Sequence, residues 1–95
     1  MPTAHAPSTE PAARDRLHAQ LRAVERAHQQ AVASERLLLT AARDREAKVQ
    51  AQIERLRPTV LTHPQDGDRY QALIAERGQL QQTIALAEHH LKNGW

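Results

Sequence analysis

From Ala12 to Arg57 the chain carries neither glycine nor proline, and its apolar positions recur with a helical beat. The stripe runs Leu17, Leu21, Val24, His28, Ala31/Val32, Glu35, Leu38/Leu39, Ala42, Glu46, Val49, Ile53 and Leu56. Its steps alternate between three and four residues, the heptad period that keeps one helix face apolar. Nearly every intervening residue is a good helix former. The pattern predicts one long helix over about 11–57, roughly 68 Å at 1.5 Å per residue. Ser8 or Thr9 is placed to cap it, Glu10 suits its positive end, and Pro11 is tolerated in a first turn. Residues 1–9, with Pro2 and Pro7 and nothing to bury, are expected to be a disordered lead-in to a helical hairpin domain over 10–95.

A second stripe follows at Tyr70, Leu73, Arg77, Leu80, Ile84, Ala87 and Leu91. It predicts a shorter helix over about 66–93. Between the helices, residues 58–67 hold two prolines and one glycine. Pro58 should stop the first helix, and the apolar Val60 and Leu61 should fold back onto the pair. Thr62 with Gln65 has capping-box spacing, and Asp66 is the rival cap. At the far end Lys92 suits the negative helix terminus, Gly94 can take the left-handed cap conformation, and Trp95 can pack on the last turn.

Two helices joined by a short turn lie antiparallel. The expected fold is therefore an all-α antiparallel helical hairpin with coiled-coil packing. Registering the stripes about the turn sets Leu56 near Leu73, Val49 near Leu80, Ala42 near Ala87, and Leu38/Leu39 near Leu91. The hairpin core is then Ala42, Val49, Ile53, Leu56, Tyr70, Leu73, Leu80, Ile84, Ala87 and Leu91. Helix two covers only the C-terminal part of helix one, so that roughly residues 12 to 34 overhang and Leu17, Leu21, Val24 and His28 are left uncovered. An uncovered stripe marks an interface. Leu37, Leu38 and Leu39 also widen the apolar face beyond what one partner needs. A hairpin this small buries little area against its folding entropy. A homodimer with a central four-helix bundle is expected, with another protein as a further partner. The seam also holds polar residues at His28, Glu35, Glu46 and Arg77, read as long side chains reaching the rim.

Composition agrees with long helices. The chain of 95 residues is 40% apolar yet has no Phe, one Tyr and one Trp. Cysteine is absent, which removes disulfides, thiolate zinc ligands and thiol nucleophiles. No signal-peptide pattern opens the chain, and the longest strongly apolar run is Leu37 to Leu39, so no membrane is expected and the default compartment is the cytoplasm.

Candidate chemistry is thin. The histidines are His5, His18, His28, His63, His89 and His90, and no two stand at the i, i+4 spacing of a helical metal pair. His63 with Asp66 and Asp68 lacks the ligand count of a calcium loop, so no metal and no cofactor is expected. Ser8 and Ser34 lack a base and an orienting partner. The three glycines are isolated, so no phosphate cradle forms. The chain is expected not to be an enzyme and to have no small-molecule substrate.

Net charge is only +2, with 13 Lys+Arg against 11 Asp+Glu. Arg22, Arg26, Arg36 and Arg43, with Lys48 and Arg55, gather on one arc that could follow a phosphate backbone. Asp15, Glu25, Asp44 and Glu54 share that arc, and no aromatic platform accompanies it. A nucleic-acid-associated accessory factor is therefore the alternative to a non-catalytic protein–protein interaction module. The module could be an adaptor, an assembly factor, a chaperone-like subunit or an inhibitor.

The stretch Leu56 to Leu91, with its proline turn, its Asp66-Gly67-Asp68 tip and Arg69-Tyr70 opening the second helix, resembles in layout the C-terminal helical hairpins of ABC-F translation ATPases. The acidic tip also resembles the Gre/DksA hairpins that enter the RNA polymerase secondary channel. The resemblance spans less than half of the chain. It implies a third role, a hairpin tip inserted into a larger machine such as RNA polymerase or the ribosome, with Asp66 and Asp68 at the point.

Overall fold

The computed structural model describes the backbone from residue 6 and side chains from residue 11 through Trp95. Three elements follow one another: helix α1 (Ala6–Leu56), a 3-10 turn (Arg57–Thr59) and helix α2 (Pro64–Asn93). The chain is all-α, and from Ser34 onward it is an antiparallel two-helix hairpin. It divides into two compact units, Met1–Ala33 and Ser34–Trp95.

Helix α1 begins at Ala6, earlier than the expected 11. Ser8 and Thr9 lie within it and do not mark its start, and Pro11 falls inside the helix instead of in its first turn. Lacking an N–H, Pro11 leaves one backbone carbonyl of α1 without its intrahelical donor. Of the lead-in expected over 1–9, residues 1–5 lie outside the described part of the chain.

The other end of α1 is closed by the chemistry of Pro58. A residue before proline is disfavoured in the α region, so the α-helix stops at Leu56 and tightens into the 3-10 turn. Thr59 Oγ1 donates to the Leu56 carbonyl at 3.1 Å, satisfying one orphan acceptor of α1. The backbone N–H groups of Thr62 and His63 both close on the Thr59 carbonyl, at 3.1 and 3.0 Å.

Neither proposed cap opens α2. His63 is the N-cap residue, extended at φ −128° and ψ 107°, and makes no side-chain cap bond. The reason is Pro64, which holds His63 extended and fits the first helical position with its fixed φ and missing N–H. The Thr62 hydroxyl is spent on the Thr59 carbonyl instead. Asp66 lies in the first turn, where its charge meets the positive helix end. Val60 is half-buried as expected, but Leu61 points outward at 96% exposure. At the C-terminus Gly94 takes φ +83° and its N–H donates to the His90 carbonyl at 2.8 Å. Trp95 stacks on His90 with ring centroids 5.4 Å apart.

The core of unit Ser34–Trp95 is narrow. Val49 and Ile53 are fully buried with Leu73, and Leu56, Tyr70, Ile74 and Leu80 close around them. Further from the turn Leu39, Ala42 and Ala87 are buried. The inward positions of α1, namely Glu35, Leu39, Ala42, Glu46, Val49, Ile53 and Leu56, keep the three–four spacing read from the sequence. Tyr70, Leu73, Arg77, Leu80, Ile84, Ala87 and Leu91 answer from α2.

Candidate interaction surfaces

Four side-chain links record how the hairpin is registered. Arg77 Nη1 donates to Gln50 Oε1 at 2.9 Å, and Gln50 Nε2 donates onward to Glu54 at 3.2 Å. Arg45 grips Glu76 with a two-pronged fork, Nε to Oε2 at 2.6 Å and Nη2 to Oε1 at 2.9 Å. Arg43 meets Glu88 at 2.6 Å. Glu35 meets His90 Nδ1 at 3.0 Å, with both side chains largely covered. From Gln50–Arg77 through Arg43–Glu88 to Glu35–His90 the α1 residue falls as the α2 residue climbs, as an antiparallel pair requires, and the long Arg45 side chain departs from that order by reaching back to Glu76.

The fork has an electrostatic consequence for both partners. The hydrogen bonds from Arg45 hold the Glu76 carboxyl below its ordinary range, against a smaller opposing effect of desolvation. The same contacts raise the Arg45 guanidinium. Charge-assisted forks of this kind fix geometry as well as energy. Polar seam residues thus have partners: Arg77 and Glu35 are half-buried and hydrogen-bonded across the hairpin. These partnerships were not visible in the stripe itself. Their signal was the charge flanking it: Arg43, Arg45, Glu76 and Glu88 all stand next to seam positions.

Unit Met1–Ala33 is different in character. Every residue from 11 to 31 is exposed. Leu17, Leu21 and Val24 stand at 54%, 57% and 68% exposure, and His28 is exposed with them. Arg22 and Arg26 are exposed on the same helical segment.

In unit Ser34–Trp95 the triple leucine is split. Leu39 turns inward to 8% exposure and belongs to the hairpin core, whereas Leu37 and Leu38 remain outside at 72% and 48%. Three consecutive residues on a helix span about 200° of its circumference, so one face cannot take all of them. Of the basic residues in this unit, Arg36 is exposed and Arg43 is engaged by Glu88. Leu86, outside the predicted stripe, is also exposed.

Among the described residues no three His, Asp or Glu side chains gather as metal ligands. His63 shares a hydrogen bond with the Thr62 hydroxyl and His89 one with Asn93. No helix among the described residues is long and apolar enough to cross a membrane. No protein-family model, curated protein or solved structure matches this chain.

Proposed function

We propose that this small helical hairpin is a non-catalytic protein–protein interaction module of the cytoplasm, and that its first partner is a second copy of itself. The observation that carries the reading is the exposed Leu17–Leu21–Val24 stripe of unit Met1–Ala33. Covering a large aliphatic side chain contributes about 1.5–3 kcal/mol, so water is a poor final neighbour for three in a row. A stripe on one helix face is self-complementary under a two-fold axis, which makes a homodimer the simplest cover. A core of few buried side chains also gains from a second copy. In this reading Leu37 and Leu38 add to coiled-coil or four-helix packing between hairpins, and the finer role is that of an adaptor, assembly factor, chaperone-like subunit or inhibitor.

The nucleic-acid reading ranks lower because Arg43 is already neutralised by Glu88. The tip reading ranks lower because Asp66 is half-buried in the first turn of α2, where it serves the helix end.

Size-exclusion chromatography with light scattering on the full chain tests the proposal. The expected mass is twice the 10.7 kDa of one chain, falling to one chain in Leu21→Asp with helicity kept. A wild-type chain that stays monomeric up to its solubility limit contradicts it.

A further inference from the structure

Near the turn, Gln52 and Arg55 of α1 and Arg69 of α2 line one shallow depression with Leu56. Arg55 and Arg69 are both exposed, and a counter-charge between two guanidiniums that share a depression would relieve their like-charge repulsion. None of the hydrogen bonds or ion pairs among the described residues joins Arg55 or Arg69 to a carboxylate. Glu54, the acid next to Arg55, accepts the Gln50 amide.

The contrast with the neighbouring heptad is specific. Gln52 lies seven residues after Arg45, and Arg69 lies seven residues before Glu76. A step of seven in each helix of an antiparallel pair returns to nearly the same flank. One heptad away, that flank holds the Arg45–Glu76 fork, a guanidinium closed by a carboxylate. Here the position of the carboxylate carries a guanidinium, the position of the guanidinium carries a neutral amide, and Arg55 adds a second cation. The flank thus exchanges its anion for a cation and keeps no carboxylate to close it.

We infer that the depression formed by Gln52, Arg55 and Arg69 is an oxyanion-binding site that takes a phosphate dianion or a phosphomonoester. Two guanidiniums match the charge of a dianion and offer the planar donor forks that phosphate oxygens accept. The Gln52 amide supplies a neutral donor beside them. Leu56 is half-buried and gives the depression an apolar edge against which the carbon side of an ester rests. All four residues belong to unit Ser34–Trp95, and none is part of the Leu17, Leu21 and Val24 stripe or of the Leu37–Leu38 pair.

Inorganic phosphate titrated into the isotope-labelled full chain at constant ionic strength, with Arg22 and Arg26 as internal references, tests this by nuclear magnetic resonance. The pH is kept above the second ionisation of inorganic phosphate, which lies higher than the value of about 6 for phosphoesters, so that the dianion predominates. Saturable shifts are expected at the Gln52 side-chain amide and at the Arg55 and Arg69 Nε–H groups. Arg69→Gln should weaken binding about tenfold, the size of one lost charge-assisted hydrogen bond, with helicity unchanged. Arg69→Glu, which rebuilds an acidic position like that of Glu76, should abolish binding and leave the hairpin folded. Acetate and dimethyl phosphate, each a monoanion, should bind more weakly than phosphate. Shifts that never saturate, that are equal at Arg22 and Arg26, or that keep the wild-type affinity in Arg69→Gln overturn the site. Tighter binding of dimethyl phosphate than of phosphate overturns the dianion assignment.

Discussion

Leu21, Val24 and Ala31 stand eighteen residues before Leu39, Ala42 and Val49, and eighteen residues are five helical turns. The same spacing of apolar positions therefore occurs twice in α1, with opposite outcomes. Leu39, Ala42 and Val49 are buried at 8%, 5% and 0% exposure, while Leu21 and Val24 stand open at 57% and 68%. What differs is the company. The second set has α2 across from it, tied by Arg43–Glu88, Arg45–Glu76 and Gln50–Arg77. A periodic stripe states which side of a helix avoids water, and only a partner element states whether that side succeeds. The exposed stripe is the observation on which the proposed interface rests.

The comparison can be broken first at its most buried point. Ile53→Ala removes a fully buried side chain and should cost about 2–5 kcal/mol in chemical denaturation. Leu21→Ala, measured where the chain is dilute and monomeric, should change stability by no more than about 0.5 kcal/mol, as surface substitutions do. An equal loss in both variants at low concentration would mean that the two stripes are covered alike.

A smaller effect of opposite sign is expected at Gly78. It lies inside α2, and a Cβ added there meets nothing within 4 Å. Gly78→Ala should raise the unfolding free energy by about 1 kcal/mol through helix propensity alone. A loss of stability would instead reveal a close neighbour at this position, for example a second hairpin packed on α2.

The smallest effect belongs to the Arg45–Glu76 fork, which is solvent-exposed and therefore screened by salt. The folded-state carboxyl of Glu76 titrates below its ordinary 4.5. Its contribution is thus present above pH 4.5 and is lost as pH falls from 4.5 through the lower folded value. Glu76→Gln should flatten the stability profile in that acid range and leave its shape at neutral pH unchanged. An unaltered acid limb in Glu76→Gln would show that the fork contributes nothing.

The inward faces of both helices were legible because helical period and burial coincide: Val49, Ile53, Leu73 and Ala87 all fall where alternating steps of three and four place them. The C-terminal stop at Gly94 was legible because a left-handed φ favours glycine. Other features depend on three-dimensional competition. Leu37, Leu38 and Leu39 are chemically alike, and only the direction of α2 selects Leu39 for burial. The start of α2 was read from Thr62 and Asp66 as rival caps, and the fixed dihedral of Pro64 prevailed over side-chain capping. Leu61 is apolar by composition yet exposed, because the 3-10 turn and the Thr59 carbonyl bonds set the direction of the chain there. The Gln52, Arg55 and Arg69 depression was hidden for a related reason. Arg55 was read on the arginine arc of α1, but Arg69 lies 14 positions further along, across the turn, and the periodicity of neither helix pairs the two.

Amide hydrogen exchange on the full chain at dilute and concentrated conditions tests the central claim most directly. The stripe at Leu17, Leu21 and Val24 should exchange fast when dilute and become protected as concentration rises. Amides at Val49 and Ile53 should stay protected throughout. Exchange at residues 11–31 that is the same at both concentrations would contradict a self-associating interface there.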